Sequence, residues 1–241
     1  MPAPTTSELL WRSSTPPRRG PKPSLTLEQI VAEAIALADA EGLANLSMQR
    51  LAERLGCAKM ALYRYVPGRT ELTALMLDCA FDTPPELPAA HADSSGEPWR
   101  SYLRDWAETL FERMQAHPWG LEIASRVRPM GPNEMSWMEA ALAVLADSLL
   151  TPGERIDSVV LLIGHARSLV PFMTGADDGD AEARVAREIT AVLAAHADRY
   201  PYIAATYAEQ AAAADPGRNN ALAFGIDRIL DGLGALMASR Q

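Results

Sequence analysis

Nine side chains between Ser47 and Arg69 have the types and spacing to grip a polyanion and to read the edges of bases: Ser47, Gln49, Arg50, Ala58, Lys59, Met60, Tyr63, Arg64 and Arg69. A lysine ammonium can donate to guanine O6 or N7, and a small or flexible apolar group can touch a thymine methyl. Ala58, Lys59 and Met60 are therefore the candidates for base edges. Ser47, Gln49, Tyr63 and Arg69 suit phosphate oxygens, with helix N-termini adding backbone donors, and Arg50 and Arg64 project to the same open side. All nine must be held outward by a framework that buries the residues between them.

That framework is legible. Thr26 followed three residues later by Gln29 is a capping box, and Ile30, Val31, Ala34, Leu37, Ala38 and Glu41 recur on one face. A first helix is predicted from Leu27 to Glu41, stopped by Gly42. Ser47 can cap a second, Met48 to Leu55, with Met48, Leu51, Ala52 and Leu55 inward. A third runs from Ala58 to Tyr65 with Ala61, Leu62 and Tyr65 inward, and Pro67-Gly68 closes it. A fourth spans Arg69 to about Phe81, with Leu72, Leu75, Met76 and Cys79 on its apolar side. Small Ala52 at the crossing and Gly56 in the turn let the second and third helices meet steeply. Leu51, Leu55, Cys57, Leu62 and Tyr65 then face inward, in the spacing of a DNA-binding helix-turn-helix whose second helix enters the major groove.

A second constellation lies further along. Trp106, His117, Trp119, Arg126, Trp137, His165, Arg167 and Phe172 are polar or aromatic groups embedded in apolar helical segments, as an aromatic-walled cavity with few polar anchors requires. A lone histidine such as His165 equally suits a core or an interface, and tryptophans pack. No Ser/His/Asp arrangement, phosphate loop or His-Glu-x-x-His occurs. The acidic run Asp177-Asp178-Gly179-Asp180 falls in a glycine-containing loop, where helix-borne carboxylates are wanted for metal chemistry. Cys57 and Cys79 are too few for a disulfide framework, and no Cys/His cluster has zinc-ligand spacing. No catalytic residue, metal or cofactor is expected.

The chain has 241 residues, 48% of them apolar, enough for one large core or two small ones. With 22 basic against 31 acidic residues the net charge is -9, which argues against a uniformly basic nucleic-acid coat. Residues 1–70 nevertheless carry nine basic against six acidic groups, +3, leaving -12 for the remainder. Residues 1–24, with six prolines, read as a flexible arm; its Arg18-Arg19-Gly20-Pro21-Lys22 run either tracks phosphates or is incidental charge. Residues 25–82 form the helix-turn-helix unit, and 83–97, with Pro84, Pro85, Pro88 and Ser94-Ser95-Gly96, a linker. Residues 98–241 make a second helical domain.

Its expected helices are Trp99 to Gln115, a kinked piece around Trp119 to Val127, Asn133 to Leu150, Pro152 to Met173, Ala181 to Ala197 and Leu222 to Ser239. No run alternates with strand period, so the fold is all-α. The helix from Pro152 carries Ile156, Val159, Val160, Leu161, Leu162, Ile163, Leu169 and Val170, more apolar surface than one stripe requires. Four-helix packing between two subunits would bury the excess and set two reading helices about 34 Å apart; full burial within one chain is the alternative. No stretch approaches the roughly 20 apolar residues of a membrane helix, and the first 20 residues lack the apolar run of a signal peptide. A cytoplasmic protein without a membrane partner is expected.

The run from Leu43 to Leu72, with the helix Thr26 to Gly42 before it, resembles the DNA-binding domain of the TetR (tetracycline-repressor) family of bacterial regulators. Arg128-Pro-Met-Gly-Pro-Asn-Glu before a long helix and Phe224-Gly-Ile-Asp-Arg-Ile-Leu-Asp-Gly-Leu near the end are similar to its tetracycline-repressor subgroup. Two residues depart from the pattern. Arg69 stands where the family usually has lysine, and Tyr65 where histidine is common. The resemblance implies a C-terminal ligand-binding and dimerisation domain, a homodimer on a double-stranded DNA operator, and a repressor released by a small-molecule effector. The fourth helix, packed against the piece around Trp119 to Val127, is the expected route of transmission. The rival readings are control by a protein partner seated in a C-terminal groove and a small helical enzyme.

Overall fold

Thr26 begins the first long helix as expected: its hydroxyl accepts the Gln29 N–H, while the Gln29 side chain accepts the Thr26 N–H at 2.9 Å. The computed structural model describes residues 4–12, 25–87, 97–173, 181–212 and 220–241, and every regular element among them is helical. The basic run at Arg18, Arg19 and Lys22 and the acidic run at Asp177 to Asp180 lie outside the described residues.

The first element, α1 (Thr6–Leu10), corrects the expectation of a flexible arm for these residues, while 1–3 and 13–24 lie outside the described residues. The window from Thr5 to Trp11 contains no proline, and Thr5 and Glu8 form a capping box. Leu9 and Leu10 are buried against α5 (Arg69–Phe81). Between these lie α2 (Leu27–Glu41), α3 (Met48–Arg54) and α4 (Lys59–Leu62). Ile30, Ala34, Leu37, Leu51, Leu62, Val66, Leu72 and Met76 make their common core.

The α3–α4 turn is a Schellman motif. Gly56 sits at φ +62, its N–H donates to Glu53 O at 3.2 Å, and the Cys57 N–H donates to Ala52 O at 3.0 Å. The segment expected as one helix from Ala58 to Tyr65 keeps only four α-helical residues, because Tyr65 N–H donates to Leu62 O at 2.9 Å and tightens the last turn. A helix this short has no stability of its own. Leu62 and Val66, both fully buried, hold it, each contributing about 1.5–3 kcal/mol. Cys79, expected on the apolar side of α5, is exposed, and Ala74, Leu77, Asp78 and Ala80 are buried instead.

The second core gathers α6 (Pro98–Ala116), α8 (Pro132–Val144), α9 (Pro152–Met173) and α12 (Ala221–Ala238) around Leu103, Trp106, Leu145, Leu162, Ile226 and Leu230. The helix expected through Leu150 ends at Val144. Beyond it the Ser148 hydroxyl bonds Leu145 O, and Arg155 takes the carbonyls of Leu150 and Ser148. The short α7 (Gly120–Ala124) follows α6, and α10 (Ala181–His196) packs on α9 and α11 (Pro201–Ala212). α11 adds to the helices expected from periodicity; none of its residues is buried, so no core-facing stripe marks it in the sequence.

Candidate nucleic-acid interface and adjoining cavity

Ser47, Gln49, Arg50, Ala58, Lys59, Met60, Tyr63, Arg64 and Arg69 are all exposed, and they sit on α3, α4, their caps and the start of α5. The burial of Leu51, Ala52, Leu62 and Val66 behind them fixes that direction. Ser47 is the cap of α3, its hydroxyl accepting the Arg50 N–H at 3.2 Å. Lys59 lies over the Tyr63 ring at 5.9 Å, and Met60 is 73% exposed. Gln49 donates to Glu53, and Arg50 pairs with Glu41. Exposed pairs of this kind hold little energy and exchange readily for phosphate. Arg69 donates to Leu43 O at 2.7 Å, so one arm of its fork braces the segment after α2. The aromatic ring of Tyr65 is half-buried, its hydroxyl donating to Leu25 O at 2.9 Å.

α5 packs against both cores, on α1 and α2 on one side and on α6 and α8 on the other. Asp78 is buried, and its Oδ1 accepts the N–H groups of Asn133 at 3.0 Å and Glu134 at 3.2 Å at the start of α8. Burial pushes the Asp78 carboxyl up, and those two N–H donors oppose the shift. At the helix end Asp82 has φ +53, a left-handed conformation costly for a side chain with a Cβ. It is held by the indole of Trp137, which donates to Phe81 O and Asp82 O at 3.1 Å each, and by Arg113.

Between α5, α6, α7, α8 and α9 lies a cavity of about 340 Å³. Five of the eight sequence candidates line it: Trp106, His117, Arg126, Trp137 and Arg167. Trp106 and Trp137 meet edge to face at 5.6 Å, and the Trp106 indole donates to Trp137 O at 3.0 Å. His117 faces both ways. It lines the cavity, and its Nδ1 lies 2.8 Å from Asp39 on α2.

Three candidates are elsewhere, which corrects the expected grouping. Trp119 joins the core of the reading unit beside Ile123, donating to Asp39 at 2.6 Å, because α7 inserts its apolar side there. His165 packs on α12, its Nε2–H donating to Leu222 O at 3.0 Å; Gly225 is needed there, since a Cβ would lie 2.1 Å from the ring. Phe172 is 63% exposed on the outer side of α9. Sequence reasoning missed the wall residues Phe81, Arg113, Met114, Glu134 and Ile163. Only Glu134 carried a signal, through the Arg128-to-Glu134 motif; Arg128 and Glu134 form a buried fork, Nη1 to Oε2 at 2.5 Å.

On the outward side of α9, Ile156, Val160, Leu161 and Phe172 form an exposed apolar stripe beside Phe224 of α12. The excess apolar surface of α9 is therefore not buried by the described residues. Among the described residues no group of three or more His, Cys, Asp or Glu side chains could hold a metal, and no helix is long and apolar enough to cross a membrane.

Comparison with known proteins bears on both sites. Residues 30–75 match the family model described as bacterial regulatory proteins, tetR family, and residues 92–237 that described as tetracyclin repressor-like, C-terminal domain. The HTH-type transcriptional repressor DrrR1 of Streptomyces coeruleorubidus is 38% identical, covering 98% of this chain and 87% of that protein. Among solved structures, apo ActR of Streptomyces coelicolor aligns with a TM-score of 0.72 at 25% identity, over 91% of this chain and 99% of that one. ActR in complex with actinorhodin aligns at 0.70 and 26%, over 88% and 97%.

Proposed function

This chain belongs to the TetR family of bacterial transcriptional regulators, and from that premise we propose that it is a homodimeric repressor whose α3–α4 pair reads a palindromic operator and whose cavity takes a small-molecule effector that releases the DNA. One observation carries the reading: α5 belongs to both sites. Arg69 at its start is on the exposed reading face, and Leu77, Ala80 and Phe81 at its end line the cavity. A ligand that prefers one setting of α5 over another shifts operator affinity by its differential binding energy, typically about 1–3 kcal/mol.

Ala58, Lys59 and Met60 are the proposed base contacts, and Ser47, Gln49, Arg50, Tyr63, Arg64 and Arg69 the proposed phosphate or flanking contacts. Trp106, His117, Arg126, Trp137 and Arg167 are the proposed effector contacts. The outward stripe on α9 and α12 supports a two-fold interface, which would present two reading helices to one duplex. Transmission runs through two seams, the packing of α5 on α7 and the His117 contact with Asp39. That ActR has been solved with actinorhodin supports a small molecule over a protein partner. The test is a gel shift of the full chain on DNA flanking its own gene. A sequence-preferring complex with a dissociation constant of roughly 10⁻⁸ M or below is expected. Binding no tighter than to random DNA overturns the reading.

A further inference from the structure

We propose that the cavity takes a flat, multi-ring aromatic anion and that the Arg167 guanidinium pairs with its charge; this rests on the effector reading of the cavity given above. The shape argument comes from the walls. Trp106 and Trp137 spend their indole N–H groups on backbone carbonyls, so they offer the cavity ring surface and no polar contact. With Phe81 and Leu110 they line a space of about 340 Å³, at the small end of ligand sites and suited to fused rings.

Aromatic walls alone would accept a cation as well, through ring faces. The charge around them decides the sign. Among the described residues, Arg113, Arg126, Arg128 and Arg167 line the cavity against one carboxylate, Glu134. Both Glu134 oxygens are taken by Arg128, which leaves no free acid for a cationic ligand among the described lining residues. Arg113 is turned to Asp82 at 3.1 Å and Arg126 to Glu122 at 3.3 Å. Arg167 is the lining cation without a carboxylate partner among the described residues. It is half-buried, and its hydrogen bond is to Leu121 O at 3.3 Å, long for an N–H···O contact. A fork of five donors in an apolar wall with one weak acceptor is poised for an anion. In a chain of net charge -9 this local excess is not background. Leu121 belongs to α7, which packs on α5, so drawing Arg167 to a ligand also loosens the tie between α9 and the seam below the reading unit.

Anthraquinone-2-carboxylate, anthraquinone-2-carboxamide and 2-(aminomethyl)anthraquinone share one ring system and differ in charge. Each is titrated into the full chain, wild type, Arg167→Gln, Arg167→Lys and Ile163→Trp, by quenching of tryptophan fluorescence. The carboxylate is expected to bind about tenfold more tightly than the carboxamide, with the ammonium weakest; Arg167→Gln brings the first ratio within about threefold of one, and Arg167→Lys retains it. A carboxamide or ammonium that equals the carboxylate on the wild type overturns the proposal, as does no binding by any of the three, or a preference that survives Arg167→Gln. Should Arg167→Gln not fold, the wild-type ranking of the three probes decides. Ile163→Trp, which fills the cavity, is expected to abolish all binding. Probes that bind it unchanged overturn the effector-cavity reading itself, irrespective of charge preference.

Discussion

Asp78 on α5 accepts the backbone N–H of Asn133 at 3.0 Å, so a carboxylate of the reading unit serves as the N-terminal acceptor of a helix in the other domain. Gly131 permits the approach, since a Cβ there would lie 2.2 Å from Asp78 Oδ1. Asp78→Ala leaves two N–H groups at the start of α8 without this partner, and should cost about 1–3 kcal/mol in urea denaturation. Unchanged stability would show that this link between the domains is incidental.

His117 and Trp119 converge on one oxygen of Asp39, at 2.8 and 2.6 Å, tying α2 to the start of α7 next to the cavity. Asp39→Ala is expected to leave ligand binding near wild type while shrinking the ratio of operator affinities without and with ligand, from a typical 5–150-fold toward one. Fluorescence titration and gel shift, run on the same preparation, separate the two effects. A ratio equal to wild type assigns transmission to α5 alone.

Lys59 and Arg69 should fail differently. Lys59→Ala is expected to change base preference, and Arg69→Ala to weaken all sites alike and reduce the salt slope by about 1. Because Arg69 also donates to Leu43 O, its loss adds a small drop in melting temperature that Lys59→Ala does not share. Selection from random oligonucleotides at two salt concentrations checks this division of roles. An identical loss from both variants on every sequence contradicts it.

Leu161→Asp puts a charge in the centre of the outward α9 stripe, where leucine is 56% exposed. Sedimentation should report a shift from dimer toward monomer, and operator affinity should fall with it, since one reading helix makes half the contacts. A dimer of unchanged stability would move the interface elsewhere.

Glu154 supplies the pH dependence. It is held down to about 2 by the fork from Arg240, with Thr151 adding backbone and side-chain hydrogen bonds. A depressed carboxylate contributes its stability above the unfolded value of 4.5 and loses it as pH falls toward 2. The melting-temperature gap between wild type and Glu154→Gln should therefore be full at pH 7 and narrow between pH 4.5 and 2. A gap that widens on acidification reverses the assignment.

Whatever depends on neighbours within a few residues is legible in the order of the amino acids. The capping box at Thr26 and Gln29, the glycine turn at Gly56 and the stripe of Ile30, Ala34 and Leu37 are local agreements, and they carry the all-helical class, the helix-turn-helix and the outward direction of Lys59. The window Thr5 to Trp11 had its local signals too, but the surrounding prolines masked them. Tertiary structure alone decided which side chains share a space. Trp119 and Trp137 have the same side chain, yet one packs in the helix-turn-helix core and the other walls the cavity, because α7 packs on α5 with Trp119 at its start reaching Asp39 of α2, while α8 packs on α6. His165 went to α12 because a glycine stands opposite it 60 positions on, at Gly225. Burial and hydrogen bonding are settled by partners distant along the chain, and no spacing within one helix records who those partners are.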